Sequence, residues 1–276
     1  MYHTRLSITC ATDYAEILMA EIAETGFDTF METETGIEAY AEEDKFNKAD
    51  LLSILERYQQ QSTLSWHFDT IEKKNWNEEW EKNYEPVIVD DRCIIRAAFH
   101  QPEKKYTYDI IITPKMSFGT GHHATTHLMI KHQLDINHQN KLVMDAGCGT
   151  AVLSVMAAKH GASFVDAFDI DAWSIENGKE NAEMNNCPNI RIRQGKISDL
   201  KFNEPFDIIL ANINKNILLM EMPYYSTYLK KDGLLLLSGF YEHDIADIEN
   251  RAKGENLILQ HIHTLETWAA VLCKKM

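Results

Sequence analysis

The stretch VMDAGCGTA at residues 143–151 carries an aspartate and two glycines at the close of an apolar run. Gly147 and Gly149 let backbone come close to a ligand, and the N-terminus of a following helix favours polar or anionic groups. A turn of this kind serves NAD, FAD or S-adenosylmethionine. Asp145 helps to separate them: a carboxylate two residues before Gly147 repels a dinucleotide pyrophosphate and suits the ammonium of a methionine moiety. Asp169 stands 22 residues after Gly147, at the end of the next apolar run. An acid in that place accepts hydrogen bonds from ribose hydroxyls. Asp171 reads instead as the N-cap of the helix that follows. Asn212, in Ala211-Asn212-Ile213, ends a later strand at the edge where such sheets bind ligands. Its amide can orient a reacting amine; the plainer reading is a polar cap for a helix beginning near Lys215. Ala151 takes the place of a usual third glycine and should still allow close helix packing.

The second chemically dense stretch is PKMSFGTGHHATTH at residues 114–127. His122, His123 and His127 invite a metal reading, but no cysteine or acid of suitable spacing accompanies them, so no metal site is expected. Backbone donors and threonine hydroxyls fit a cofactor-covering segment better.

The elements that must hold these residues follow from periodicity. Residues 141–146, 163–169, 190–196, 206–211 and 233–238 read as buried strands, with helices over 152–159, 173–184, 217–229 and 244–252 between or after them. Residues 257–265 and 267–273 are strands joined too tightly for a parallel crossover, so they are antiparallel. The result is a doubly wound α/β sheet with an antiparallel hairpin at its end. Upstream, residues 1–72 read as strand, helix, hairpin, helix, strand. Thr12 or Asp13 caps the first helix, Gly26 ends it, and Asn47 caps the second. The order βαββαβ suggests a small ferredoxin-like α+β domain. Residues 73–87, with Trp76, Trp80 and Tyr84 every four residues, read as an amphipathic linker helix that Pro86 stops. Residues 88–276 form the remaining domain, opening with β structure to residue 112.

The chain has a formal net charge of -15. Phosphate binding wants a basic face, so free nucleic acid is not an expected partner. Residues 1–70 hold 14 acidic groups against 4 basic ones, a net of 14 − 4, or -10 in charge. That is either a solubilising face or a dock for a basic partner. No apolar run approaches the ~20 residues of a membrane span, and no membrane partner is expected. Residues 1–16 do not read as a signal peptide. The five cysteines are scattered and form no CxxC pair, the pattern of free thiols in a reducing cytoplasm.

FGTGHHATT resembles the FGTGxHxTT signature of the ribosomal protein L-eleven (L11) methyltransferases, bacterial enzymes that modify one large-subunit ribosomal protein. The likeness runs the full chain. NWNEEWEKNYEP is similar to that family's tryptophan-rich linker, VMDAGCGTAVLS to its cofactor loop, and AFDIDAWSIENGKENAEMN to its ribose strand and helix. LANI resembles the catalytic-edge motif, and LSGF and ETWAAVL the closing strands. The resemblance implies a Rossmann-like seven-stranded methyltransferase domain using S-adenosyl-L-methionine, behind a small domain that grips the substrate. It implies cofactor contacts from Thr126, Gly147, Asp169 and Asn212. The residue reading adds Asp145, Gly149, Phe118 and Gly119, and gives Asn212 the catalytic role. Departures are Ala124, where the family usually has proline, and Ala151; neither removes a functional group.

The expected activity is methyl transfer from S-adenosylmethionine to lysine side-chain and N-terminal amines of ribosomal protein L-eleven, in the cytoplasm. Rivals are a methyltransferase of another protein or small molecule, a NAD-dependent oxidoreductase, and a non-catalytic module that keeps the cofactor fold. Nucleobase-amine methylation is disfavoured, because Asn212-Ile213-Asn214-Lys215 lacks the Pro-Pro-aromatic run of those enzymes.

Overall fold

The computed structural model describes residues 2–33, 35–42, 45–59, 64–72, 84–102, 104–113 and 119–276. The chain forms two compact units, Met1–Asn83 and Tyr84–Met276. Of the expected linker helix only residues 84–87 are described; 84–86 are not helical, and Val87 opens a strand. Trp76, Trp80 and Phe118 lie outside the described residues.

In the first unit the order is β1 (Tyr2–Thr9), α1 (Thr12–Ala23), β2 (Thr29–Thr33), β3 (Gly36–Glu42), α2 (Lys48–Gln59) and β4 (Ser65–Glu72). The sheet runs β2-β3-β1-β4, with antiparallel neighbours throughout. Side-chain alternation along β3 buries Ile37, Ala39 and Ala41. They join Leu6 and Ile8 of β1, Leu18 and Ile22 of α1, and Leu51 and Leu55 of α2 in one core. Asn47 caps α2 as expected, accepting from the Ala49 N–H at 3.0 Å. The start of α1 differs: Ala11 is its N-cap and offers no side-chain bond. The helix begins one residue early, which puts Thr12 and Asp13 inside its first turn rather than before it.

The second unit opens with a three-stranded sheet, β5 (Val87–Val89), β6 (Cys93–Arg96) and β7 (Tyr108–Ile111). Then follow α3 (Ala124–Asp135), β8 (Leu142–Ala146), α4 (Val152–Lys159), β9 (Phe164–Asp169), α5 (Ala172–Met184), β10 (Ile190–Gln194) and β11 (Phe206–Asn212). The chain closes with α6 (Lys215–Tyr228), β12 (Leu229–Tyr241), α7 (Ile245–Gly254), β13 (Leu257–Leu265) and β14 (Trp268–Lys275). The seven-stranded sheet has the order β10-β9-β8-β11-β12-β14-β13. Its first five strands are parallel, and β14 runs antiparallel to both neighbours.

Both faces of this sheet are covered, which is why its strands are apolar at consecutive positions. Ile208 and Leu210 of β11 face α3 and α4, while Ile209 and Ala211 face α6 and α7. The expected strand over 233–238 is twice as long in the structure, because charged residues at its start are paired across strands. Lys230 reaches Asp207 of β11 at 2.9 Å, and Asp232 reaches Lys274 of β14 at 2.7 Å. From β8 the chain winds outward through β9 and β10, then crosses to β11 on the other side of β8. That reversal leaves a crevice at the carboxyl ends of β8 and β11, the usual ligand position in such sheets.

Candidate active site

A cavity of about 700 Å³ occupies that crevice. Gly147 and Gly149 reach it from the turn after β8, Asp169 and Ile170 from the end of β9, and Gly195 and Lys196 from beyond β10. Asn212 and Ile213 come from the end of β11, Gly239 from β12 and Trp268 from β14. His123 and Thr125 at the start of α3 and Ile217, Met220 and Glu221 of α6 complete the wall.

Two glycines make this convergence sterically possible. A Cβ on Gly147 would stand 2.3 Å from Cγ2 of Ile213, and one on Gly239 would stand 2.1 Å from the Ile213 carbonyl oxygen. Both have positive φ, +69° and +97°. Ile213 is thus gripped between two turns, and the grip fixes Asn212 beside it. Asn214 donates nothing to the cavity's polar chemistry through its Oδ1, which caps α6 by accepting from the Asn216 N–H at 2.8 Å. The helix-cap reading considered for Asn212 therefore belongs to Asn214. Asn212 keeps its Oδ1 buried and without a partner among the described residues.

Asp169 is oriented by backbone. Its Oδ2 accepts from Gly149 N–H at 2.9 Å and its Oδ1 from Asp171 N–H at 3.0 Å. A carboxylate has about four lone-pair sites, so accepting capacity remains on the cavity side. Asp171 does cap α5, accepting from Trp173 N–H at 3.0 Å. Asp145 lies beneath the glycine turn, 1% exposed, and is not part of the cavity wall. Its Oδ2 accepts from the Ser154 hydroxyl at 2.6 Å, and its Oδ1 has no partner among the described residues. Burial pushes its carboxyl up to about 7, with the Asp169 charge adding to the rise.

Thr126 is fully buried with an unpaired Oγ1, while its neighbour Thr125 stands in the wall. Gly119 is tied to the glycine turn, accepting from the Thr150 hydroxyl at 2.6 Å. The three histidines separate. His123 caps α3, its Nδ1 accepting from Thr125 N–H at 3.3 Å; His122 Nε2 is 2.8 Å from the Glu85 carbonyl; His127 is half-buried on α3. Among the described residues no group of three His, Cys, Asp or Glu side chains is placed to hold a metal ion. Cys148 sits within the glycine turn, and burial pushes its thiol well above the usual range, so it is inert there.

Lys196, Gly239 and Trp268 also line the cavity, and sequence pattern alone does not single them out. Lys196 follows the third parallel strand, where the edge rule that found Asp169 and Asn212 applies equally. Gly239 looks like an ordinary strand residue until Ile213 is placed against it. Trp268 stacks on Tyr241 with centroids 4.2 Å apart and presents its other contacts to His123 at 4.7 Å.

S-adenosylmethionine carries an ammonium, two ribose hydroxyls and an adenine amine, all donors. The orphaned acceptors Asp145 Oδ1 and Asn212 Oδ1 and the spare lone pairs of Asp169 are of the matching kind. Asp169, Asp171 and Glu221 in the wall, against Lys196 as its basic residue, suit a cation rather than a pyrophosphate.

A profile of the ribosomal protein L11 methyltransferase family matches residues 7–276. A ribosomal protein L11 methyltransferase of Bacteroides fragilis is 41% identical over 264 residues, covering 95% of this chain and 94% of the relative. One from Porphyromonas gingivalis is 41% identical over 271 residues, covering 98% and 93%. Among solved structures, a ribosomal protein L11 methylase from Lactobacillus delbrueckii subsp. bulgaricus superposes with a TM-score of 0.65 at 26% identity, over 70% of this chain and 100% of that one. A methyltransferase from Pyrococcus furiosus, at 17% identity and a TM-score of 0.52 over 60% of this chain and 89% of that one, shares the fold. The sheet order, the acid-lined crevice and the full-length match lead to one statement: the chain belongs to the ribosomal protein L11 methyltransferase family.

Proposed function

We propose that this chain transfers methyl groups from S-adenosylmethionine to lysine side-chain and N-terminal amines of ribosomal protein L11, in the cytoplasm. The observation that carries the reading is a set of oriented acceptors at the carboxyl edge with capacity to spare: Asp169, held by two backbone N–H groups, and Asn212 Oδ1 and Asp145 Oδ1, which have no partner among the described residues. In this reading Asp169 takes the ribose hydroxyls, Asp145 attracts the ammonium from beneath the glycine turn, and Gly147, Gly149, Thr126 and Gly119 lie around the methionine end; Phe118, the remaining expected contact, lies outside the described residues. When bound, the cofactor supplies a methyl already activated on a sulfonium. The chain's part is to hold a neutral amine in line with it and to exclude water. Asn212 accepts one amine hydrogen on Oδ1, which turns the nitrogen lone pair toward the methyl. A lysine of reference pKa ~10.4 is neutral only about one part in a thousand near pH 7, and the apolar wall of Ile213, Ile217 and Met220 beside a sulfonium lowers that pKa.

The first unit fits the role of substrate recognition. Its βαββαβ order and its sheet order support the ferredoxin-like reading, with residues 1–72 as that domain and 88–276 as the catalytic one. Arg5 pairs with Asp69 and Glu38, Lys45 with Glu42 and Arg57 with Glu21. Glu24, Asp28, Glu32, Asp50 and Glu56 remain exposed, a surface suited to a basic partner.

Mass spectrometry of purified L11 after incubation with the chain and S-adenosylmethionine tests the proposal. Methyl increments on L11 amines are expected, with substrate affinity falling as salt screens the acidic surface. The same incubation with total ribosomal proteins is the second arm: methyl increments on another ribosomal protein and none on L11 would make the chain a methyltransferase of different specificity.

A further inference from the structure

Thr113 and Gly119, the described residues on either side of 114–118, are tied to the glycine turn by two side chains that take no part in the cavity wall. On one side Thr113, the residue before 114–118, donates its backbone N–H to Asn181 Oδ1 at 2.9 Å. The same amide donates from Nδ2 to the Thr150 carbonyl at 2.8 Å. Thr150 in turn donates its hydroxyl to the carbonyl of Gly119, on the other side, at 2.6 Å. Asn181 and Thr150 are each 0% exposed.

Helix α5 holds the amide in place. Asn177 Oδ1 accepts from Asn181 Nδ2 at 3.1 Å, and Asn185, one turn on, exchanges two bonds with the backbone of Ile111, at 2.9 and 2.6 Å. Asn177, Asn181 and Asn185 recur every four residues and so share one face of the helix. Thr150 itself lies between Gly149, whose N–H is held by Asp169, and Ala151, the left-handed N-cap of α4.

We propose that Asn181 and Thr150 are positioning residues for the cofactor. They clamp Thr113 and Gly119 to the glycine turn and thereby set where His123 and Thr125 stand in the cavity wall. The inference rests on the reading of that cavity as the S-adenosylmethionine site. The bonds are buried, so each one unmade leaves a carbonyl or N–H without a partner, and the nearest way to recover it is to move Thr113 or Gly119 away from the turn. Through Gly149 and Asp169, the same displacement reaches the ribose acid.

Calorimetric titration of the full chain with S-adenosylmethionine, together with steady-state kinetics on L11, tests the clamp in three variants. Thr150→Val keeps the side-chain shape and removes the hydroxyl. Thr150→Ser keeps the hydroxyl. Asn181→Asp keeps the acceptor for Thr113 and loses the donor to Thr150. The expected result is about tenfold weaker cofactor binding in Thr150→Val and Asn181→Asp, the scale of one buried bond unmade. KM for the cofactor should rise in step, while kcat at saturating cofactor should change by less than about threefold, since uniform binding and not the transition state is affected. Thr150→Ser should restore the affinity. Unchanged affinity in a folded Thr150→Val or Asn181→Asp protein, or a lower Tm with unchanged affinity, overturns the proposal; the two variants are read independently, so either decides if the other does not fold. An unaltered chain that fails to bind S-adenosylmethionine overturns the cofactor reading itself, a different result from normal binding that the variants leave intact.

Discussion

At the amino end of the seven-stranded sheet, Asp207 accepts from the Leu142 N–H and from Lys230, each at 2.9 Å, with Lys141 3.7 Å away. Beside it Asp232 pairs with Lys274 at 2.7 Å. At the carboxyl end the same residue types are left differently: Asp169 meets backbone N–H groups, Asp145 uses one oxygen on Ser154, and Asn212 Oδ1 has no hydrogen-bond partner among the described residues. One end spends its carboxylates on holding strands together. The other keeps acceptors oriented and unmatched, at a cost of about 1–3 kcal/mol for each buried group left unpaired. A fold tolerates that cost where a ligand's donors later offset it, which is the physical meaning of a preorganised site.

The strongest way to break the comparison is at Asn212. Asn212→Ala should lower kcat about a hundredfold at saturating cofactor, the scale of a misplaced nucleophile. Steady-state kinetics would show this; a rate fully restored by excess cofactor would leave Asn212 a binding residue only. Next in size is Asp169→Ala, which should weaken S-adenosylmethionine binding by about 1.5–3 kcal/mol in calorimetry, as for hydrogen bonds to a charged group. Unchanged affinity in a folded Asp169→Ala protein would remove that carboxylate from the site.

The amino end should respond in stability and not in binding. Burial works to raise the Asp207 carboxyl, but Lys230, the Leu142 N–H and Lys141 outweigh it and hold it below the usual range. A depressed folded pKa contributes stability that is present above the unfolded value of about 4 and is lost as pH falls through the lower folded value. The urea midpoint of the unaltered chain should therefore drop faster on acidification below pH ~4 than that of Asp207→Asn, with cofactor affinity at neutral pH the same in both. A changed affinity would show the two ends to be coupled after all.

Ala151→Gly should have the smallest effect. Ala151 has φ +61° and is fully buried at the N-cap of α4. Relief of a left-handed alanine is worth about 1–2 kcal/mol. Loss of its buried methyl, which stands 3.3 Å from where a Cβ on Gly178 would lie, costs about 0.8 kcal/mol. Thermal unfolding should show a small net gain; a clear loss would mean that the methyl's packing governs the turn.

Ala151 also marks where the sequence stopped being legible. Its packing was foreseeable from the turn, but its left-handed backbone was not, because side-chain volume says nothing of φ. The alternation of apolar runs made the seven strands readable, though not their order in the sheet, and the edge rule made the strand-end positions of Asp169 and Asn212 readable, since both depend on short-range pattern. Gly239 depends on Ile213, 26 residues earlier, and the pairing of Lys230 with Asp207 depends on strands that meet only after folding. Sequence pattern gave the cap to Asn212 or left it open; the choice of Asn214 came from the register of α6.

On the proposed function, the carboxyl edge holds S-adenosylmethionine through acceptors oriented in advance. A crystal structure of the chain with S-adenosylhomocysteine decides this. Ribose hydroxyls are expected on the Asp169 carboxylate, the amino group directed to Asp145, and the vacated methyl position facing Asn212 Oδ1. A ligand bound elsewhere, or one in this crevice with Asp169 still bonded only to Gly149 and Asp171, would contradict it.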